Sequence, residues 1–382
     1  MSEKSERQSG IGLDVGTAFC ACCSKDIDGQ EIYQILRDCF LKIEASEEAK
    51  VMLEQSKANF IESSDGTSIY VIGGDALKFA NIMEGVRRSS RNEKALLRRP
   101  MAGGVLNPDE PDLAFSIMRQ ILKNLLGTPK EKGEVVCFSV PGNPVDANFN
   151  TMYHEKMIEG IIQKLGFSPK SINEGLAVIY STNPTIETED GEEVPFSGVG
   201  ISMGGGMINV CFAYRSYPLV EFSIANAYGM NEGSGGDWID LQVSKTRADL
   251  SISKVTALKE KYADFTIDPF ELSTRKEVSG GKKAVERRNY EILMALDMFY
   301  RRLISYALKT LGSEFAKQGE SVEEAVEIVI AGGTSSPNGM EELVMQEIEK
   351  LDLPFEVKGV RKAEDPLYTV SNGCLVSALT QR

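Results

Sequence analysis

Ile11-Gly12-Leu13-Asp14-Val15-Gly16-Thr17-Ala18-Phe19-Cys20-Ala21-Cys22-Cys23 is the stretch on which the reading of this chain turns. An apolar run ends in a single carboxylate, Val15-Gly16-Thr17 makes a turn, and a second apolar run from Ala18 leads back, so the spacing reads strand, turn, strand. The pattern starts again at Gly198. Val199-Gly200-Ile201-Ser202 is a strand, Met203-Gly204-Gly205-Gly206 a turn, and Met207 to Ala213 a second strand. A hairpin that recurs half a chain later suggests a duplicated domain. Turns of Gly, Ser and Thr expose consecutive backbone N–H groups in a concavity that suits phosphate oxygens, and glycine lets the backbone come close. Either turn alone is compatible with a plain hairpin. Together they are suited to grip one polyphosphate from two sides. Asp14 would then hold hydrated Mg²⁺, which favours one or two carboxylates besides phosphate oxygens and water.

Outward from these turns, the expected elements alternate. Leu113, Ile117, Met118, Ile121, Leu122 and Leu125 fall on one face of a helix over 113–126. A buried strand at Val135–Val140 ends in Pro141-Gly142-Asn143-Pro144, and a helix follows over about 146–164. Residues 174–181 read as a buried helix and 182–197 as an exposed hairpin or linker. Helices are expected over 236–262 and 284–316, and a strand at Glu327–Ala331 runs into Gly332-Gly333-Thr334.

Composition narrows the function classes. The 382 residues suffice for two large lobes, each with its own core. The net charge of −14, from 42 basic and 56 acidic residues, argues against nucleic acid as a partner and weakens any case for anionic lipid. No apolar run approaches the ~20 residues that span a bilayer, and the polar start lacks a signal-peptide core, so a cytoplasmic protein without direct membrane insertion is expected. The seven cysteines, several in apolar runs, are expected as reduced core thiols. The single histidine, His154, disfavours Ser-His-Asp and Cys-His mechanisms and is expected at the surface. No G-x-x-x-x-G-K-[ST] occurs, since Gly280-Gly281-Lys282-Lys283 lacks the first glycine and the hydroxyl, and no strand is followed by G-x-G-x-x-G.

Taken together, the motifs resemble those of the actin superfamily, which includes MreB, DnaK-type chaperones and sugar kinases. Asp14-Val15-Gly16-Thr17-Ala18 looks like the first phosphate motif and Ser202–Gly206 like the second. Asn173-Glu174-Gly175-Leu176-Ala177 is similar to the connecting helix motif, and Gly235-Gly236-Asp237-Trp238-Ile239-Asp240 to the segment after the second turn. Ile330-Ala331-Gly332-Gly333-Thr334 looks like the adenosine motif. Val71–Ala76, Arg99–Val105 and Asp365-Pro366-Leu367 with Gly373 resemble MreB in particular.

The resemblance runs in order from about residue 10 to 378 and implies an α/β actin-like ATPase fold. Its two lobes are each built on a ribonuclease H-like mixed sheet with a small subdomain, and a nucleotide cleft lies between them. Lobe I would comprise 10–197, completed by 358–382, with a small subdomain at about 40–97. Lobe II would comprise 198–357, with its small subdomain at about 245–315. ATP or ADP with Mg²⁺ is the implied ligand. Gly16, Thr17, Ala18, Ser202, Gly204, Gly205, Gly206 and Gly236 would face the phosphates, and Lys261, Gly332, Gly333 and Thr334 the nucleoside. Asp14 would hold the metal, and Glu174 would align the attacking water.

Two departures bear on rate. Ser202 stands where the second phosphate motif carries Asp, and Met207 where it carries Thr. Nucleotide binding is therefore expected to survive better than hydrolysis, and Ser202→Asp is expected to raise turnover if the lost carboxylate is the limitation. The function implied is a slow ATPase forming cytoplasmic cytoskeletal filaments, with itself as head-to-tail partner and a protein cargo or adaptor possible. The alternative is a non-polymerising, nucleotide-dependent adaptor or chaperone-like ATPase. A small-molecule kinase is disfavoured, because no motif supplies a substrate-deprotonating Asp. A basic block at Arg87, Arg88, Arg91, Lys94, Arg98 and Arg99 is either a solvated face or a contact between subunits.

Overall fold

Ile11–Val15 is apolar enough to be buried on both faces, and it forms the central strand of a five-stranded mixed sheet. It pairs antiparallel with Phe19–Lys25, which pairs antiparallel with Glu31–Arg37. On its other side it pairs parallel with Val135–Val140, and Ser168–Asn173 is the far edge strand. The same order recurs in the second half of the chain. Gly198–Met203 is central and antiparallel to Ile208–Tyr214, which is antiparallel to Tyr217–Ile224. Its parallel neighbour is Val326–Ala331, followed by Val357–Lys362. The two sheets thus share one strand order, and the same directions at the central strand and the antiparallel pair beside it, which two similar hairpins in the sequence only suggested.

The computed structural model describes residues 7–87, 97–182, 185–187, 192–247, 249–266, 282–319, 321–322 and 324–380. The chain divides into two units. Unit 1 takes the chain up to Val140, Thr151–Ile172 and the chain from Cys374, and unit 2 takes Pro141–Asn150 and Asn173–Gly373. In unit 1 the helices Pro111–Leu126 and Met152–Lys164 turn Ile117, Ile121, Leu122, Ile158, Ile161 and Ile162 into the core over the sheet. A separate four-stranded sheet, Phe60–Glu62, Ser68–Ile72, Phe40–Glu44 and Leu97–Arg98, lies within unit 1 with its own small core around Leu41, Leu53 and Val71. In unit 2 the core gathers Phe212, Trp238, Tyr300 and Phe315 between its sheet and the long helix Lys282–Gln318.

Three expectations are corrected. His154 is fully buried, because it lies on the same inward stripe of its helix as Ile158, Ile161 and Ile162. Its Nδ1 accepts the Leu106 N–H at 3.2 Å, and burial pushes its pKa down to about 4. The helix expected from about 146 begins only at Met152, after the turn-rich stretch Asn143–Thr151. The helix expected over 236–262 is two helices, Gly235–Thr246 and Ile252–Tyr262. Ser251 starts the second one, its hydroxyl accepting the Lys254 N–H. All seven cysteines are buried free thiols. Residues 182–197 include the short hairpin Thr185–Glu187 with Glu193–Pro195. Of the basic block, Arg88, Arg91 and Lys94 lie outside the described residues, while Arg98 pairs with Glu110.

Candidate functional site

The two glycine turns close in the same way. In unit 1 the Gly16 N–H donates to the Phe19 carbonyl at 3.1 Å, and in unit 2 the Gly204 N–H donates to the Met207 carbonyl at 2.9 Å. Both bonds span three residues and leave two N–H groups at the tip. Among the described residues, no acceptor takes the N–H of Thr17 or Ala18 in the first turn, or of Gly205 or Gly206 in the second. Unpaired consecutive amides of this kind form an anion-binding concavity.

Asp14 stands at the mouth of the first turn. The Val15 N–H donates to Ser139 Oγ at 3.1 Å, and that hydroxyl donates to Asp14 Oδ1 at 2.9 Å. The side chain is therefore oriented by one neutral donor. Burial pushes its pKa up to about 6, against the lowering effect of the Ser139 hydroxyl. A half-buried carboxylate with one neutral donor and, among the described residues, no cation beside it suits a hydrated divalent ion, which would supply positive charge.

In unit 2 the structure brings three separate motifs to one place. The Gly236 and Asp237 N–H groups, at the start of Gly235–Thr246, donate to the Gly204 and Gly205 carbonyls at 3.0 and 2.8 Å. Thr334 Oγ1 donates to the Gly204 carbonyl at 2.8 Å. Gly332 has φ +88°, and a Cβ there would lie 2.5 Å from the Met203 carbonyl oxygen, so only glycine lets the two backbones meet. A Cβ on Gly236 would lie 2.7 Å from Thr334 Oγ1 and 2.9 Å from Lys259 Nζ. Ser202, Gly204, Gly205, Gly206, Gly236, Gly332, Gly333 and Thr334 thus belong to one cluster of turns, built by close backbone approach.

Lys261 does not join this cluster. It is exposed, with its ammonium 5.0 Å from the centre of the Tyr262 ring. Lys259 is the lysine that reaches the turns. Its Nζ donates to the Gly236 carbonyl at 2.8 Å and pairs with Asp240 at 2.9 Å, while Thr256 Oγ1 donates to the other Asp240 oxygen at 2.8 Å. Asp240 is fully buried, and burial raises its pKa while Lys259 and Thr256 pull it down. Lys261 was named from the resemblance; on the helix Ile252–Tyr262 it is Lys259 whose ammonium meets Gly236 and Asp240.

Glu174 begins the helix Glu174–Thr182, whose first turn is capped by the Asn173 side chain accepting the Gly175 N–H at 2.8 Å. Its Oε2 accepts from Ser202 Oγ at 3.1 Å and from Asn209 Nδ2 at 2.9 Å. Glu174 and the second turn are therefore in direct contact. Asn209 and Lys259 are polar residues of this cluster that sequence reasoning missed, while Asp240, which closes the motif Gly235–Asp240, had been given no role of its own. Asn209 carries no motif signal, since it is one polar residue within a strand that is buried almost throughout.

Comparison with known proteins agrees with the fold. The model of the volactin family matches residues 10–378. The chain belongs to the volactin family. Its fold is that of actin-like ATPases. The double helical filament of MamK has a TM-score of 0.61 and 15% identity, covering 97% of this chain and 98% of MamK. A non-polymerising MamK mutant bound to AMPPNP has a TM-score of 0.51 and 16% identity, covering 98% and 99%. The ethanolamine utilization protein EutJ from Carboxydothermus hydrogenoformans has a TM-score of 0.50 and 12% identity, covering 98% and 92%. No curated protein matches the sequence significantly. Among the described residues, no helix is long and apolar enough to cross a membrane.

Proposed function

We propose that this volactin-family chain binds ATP with Mg²⁺, hydrolyses it slowly, and assembles head to tail into cytoplasmic filaments. The observation that carries the nucleotide reading is the cluster of turns in unit 2. There Ser202–Gly206, Gly235-Gly236 and Gly332–Thr334 meet backbone to backbone, and the tip amides of Gly205 and Gly206 take no acceptor among the described residues. A polyanion is the ligand such amides favour. The same hairpin closure at Gly16 supports a second phosphate contact through Thr17 and Ala18.

Asp14 would hold Mg²⁺ through water, and the bound ion would neutralise phosphate charge. Glu174 would align the attacking water and accept its proton. Gly332, Gly333 and Thr334 would face the nucleoside, with Lys259 rather than Lys261 beside them. The lobe division, 10–197 with 358–382 against 198–357, belongs to this proposal, as do the small subdomains at 40–97 and 245–315. The separate four-stranded sheet within Phe40–Arg98 supports the first of the two subdomains. Support for assembly comes from the shared fold with MamK, of which one structure is a filament and another is a non-polymerising mutant holding AMPPNP. A subunit with complementary but different ends propagates as an open filament.

Sedimentation and negative-stain microscopy with ATP, ADP and AMPPNP test the proposal. Filaments that pellet with ATP and not without nucleotide are expected. A protein that binds ATP but stays monomeric in all three overturns the filament reading in favour of a nucleotide-dependent adaptor.

A further inference from the structure

Asn209 is 1% exposed and lies on the strand Ile208–Tyr214. Both ends of its amide are used. Oδ1 accepts the Gly142 N–H at 3.1 Å, and Nδ2 donates to Glu174 Oε2 at 2.9 Å. The Gly142 donor fixes the orientation, because a flipped amide would set N–H against N–H and a carbonyl against the carboxylate. Ser202, 3% exposed, donates to the same Glu174 oxygen at 3.1 Å. These two partners are neutral donors, and an ionised carboxylate is an acceptor only. The backbone of Glu174 is held as firmly. Asn173 caps the helix start, and a Cβ on Gly175 would lie 2.5 Å from the Cys211 N, so the first turn rests directly on the strand that carries Asn209.

We propose that Asn209, with Ser202, is a positioning residue that holds the Glu174 carboxylate in one orientation for proton transfer. The inference rests on the reading of Glu174 as the group that aligns water in ATP hydrolysis. It also reverses the expectation for position 202. Ser202 is a donor to Glu174 rather than a gap left by a lost carboxylate. An Asp at 202 would set a second carboxylate against the first, where like charges at ~3 Å cannot both stay ionised without cost. Ser202→Asp therefore lowers turnover at neutral pH.

The test combines stability and kinetics on the full chain. Asn209→Asp is nearly isosteric and replaces the donor with a carboxylate. Its melting temperature without nucleotide is expected to fall below wild type at pH 8 and to recover towards pH 5, where the two carboxyl groups share a proton. Adding Glu174→Gln should remove that pH dependence. Parallel melting curves for Asn209→Asp and wild type across this range overturn the proposal. In single-turnover assays, Asn209→Ala is expected to lower the hydrolysis rate by about 10–100-fold, with ATP affinity nearly unchanged. An unchanged rate in Asn209→Ala beside a reduced rate in Glu174→Ala overturns the positioning role and leaves the site reading intact. A wild type that binds ATP but never hydrolyses it overturns the hydrolytic role of Glu174 and this proposal with it. The pH arm then still reports whether the hydrogen bond exists.

Discussion

Replacing Lys259 with Met tests which lysine belongs to the cluster of turns. The Lys259 and Asp240 side chains are 11% and 1% exposed, so their pair is shielded from water. Removing one partner of a buried pair costs about 3–5 kcal/mol, because the other charge is left uncompensated. Asp240 keeps the Thr256 hydroxyl, and its raised pKa lets it take up a proton, which places the cost at the low end, about 3 kcal/mol. For a unit of this size that lowers the melting temperature by ~6–12 °C. The single tryptophan, Trp238, is fully buried in the helix that carries Gly236 and Asp240, so its fluorescence follows the unfolding of unit 2 directly. Lys261→Met, at an exposed position, should stay within about 0.5 kcal/mol of wild type. Adding Asp240→Asn to Lys259→Met should recover part of the loss, since the two changes act on one contact. Equal melting of the Lys259 and Lys261 variants would refute the reasoning, as would additivity in the double variant.

Three further outcomes follow from the geometry. Asp14→Ala should weaken ATP binding in Mg²⁺ and much less in EDTA, by calorimetry, and an equal loss in both buffers would remove Asp14 from the metal. His154, at about 4 in the folded chain against ~6.5 unfolded, leaves the unfolded state binding the extra proton between those values. Its contribution to stability is thus complete above pH ~6.5 and is lost at about 1.4 kcal/mol per pH unit as pH falls towards 4. His154→Gln should flatten the decline of the urea midpoint over this range, and parallel curves would refute the assignment. Gly332→Ala should cost at least ~1–3 kcal/mol from backbone strain alone and lower ATP affinity. The control Gly160→Ala, in a helix with nothing near its Cβ, should be neutral or stabilising, and equal effects of the two would show that the backbone approach at Met203 is not required.

Features with local causes were legible in the amino-acid sequence. The hairpins at Asp14 and Ser202 could be read because apolar runs and glycine turns act over neighbouring residues, and their closure at Gly16 and Gly204 follows from the same few residues. The buried face of Pro111–Leu126 was visible for the same reason, as a stripe at helical spacing. What the sequence left open depends on partners far away along the chain. His154 looked like a lone polar residue after a turn, and only the packing of its helix stripe, with Leu106 opposite Nδ1, made it a core residue. Lys261 was named from the resemblance, whereas Lys259 is the lysine that reaches the Gly236 carbonyl and Asp240, a contact between two helices that local sequence does not reveal. Ser202 read only as a missing carboxylate, and its contact with Glu174, beside Asn209, joins residues far apart along the chain. Turn chemistry is set by adjacent residues, so sequence alone determined where the two glycine turns lie. Which side chains meet there is set by register and close backbone approach, and that was decided only by the tertiary structure.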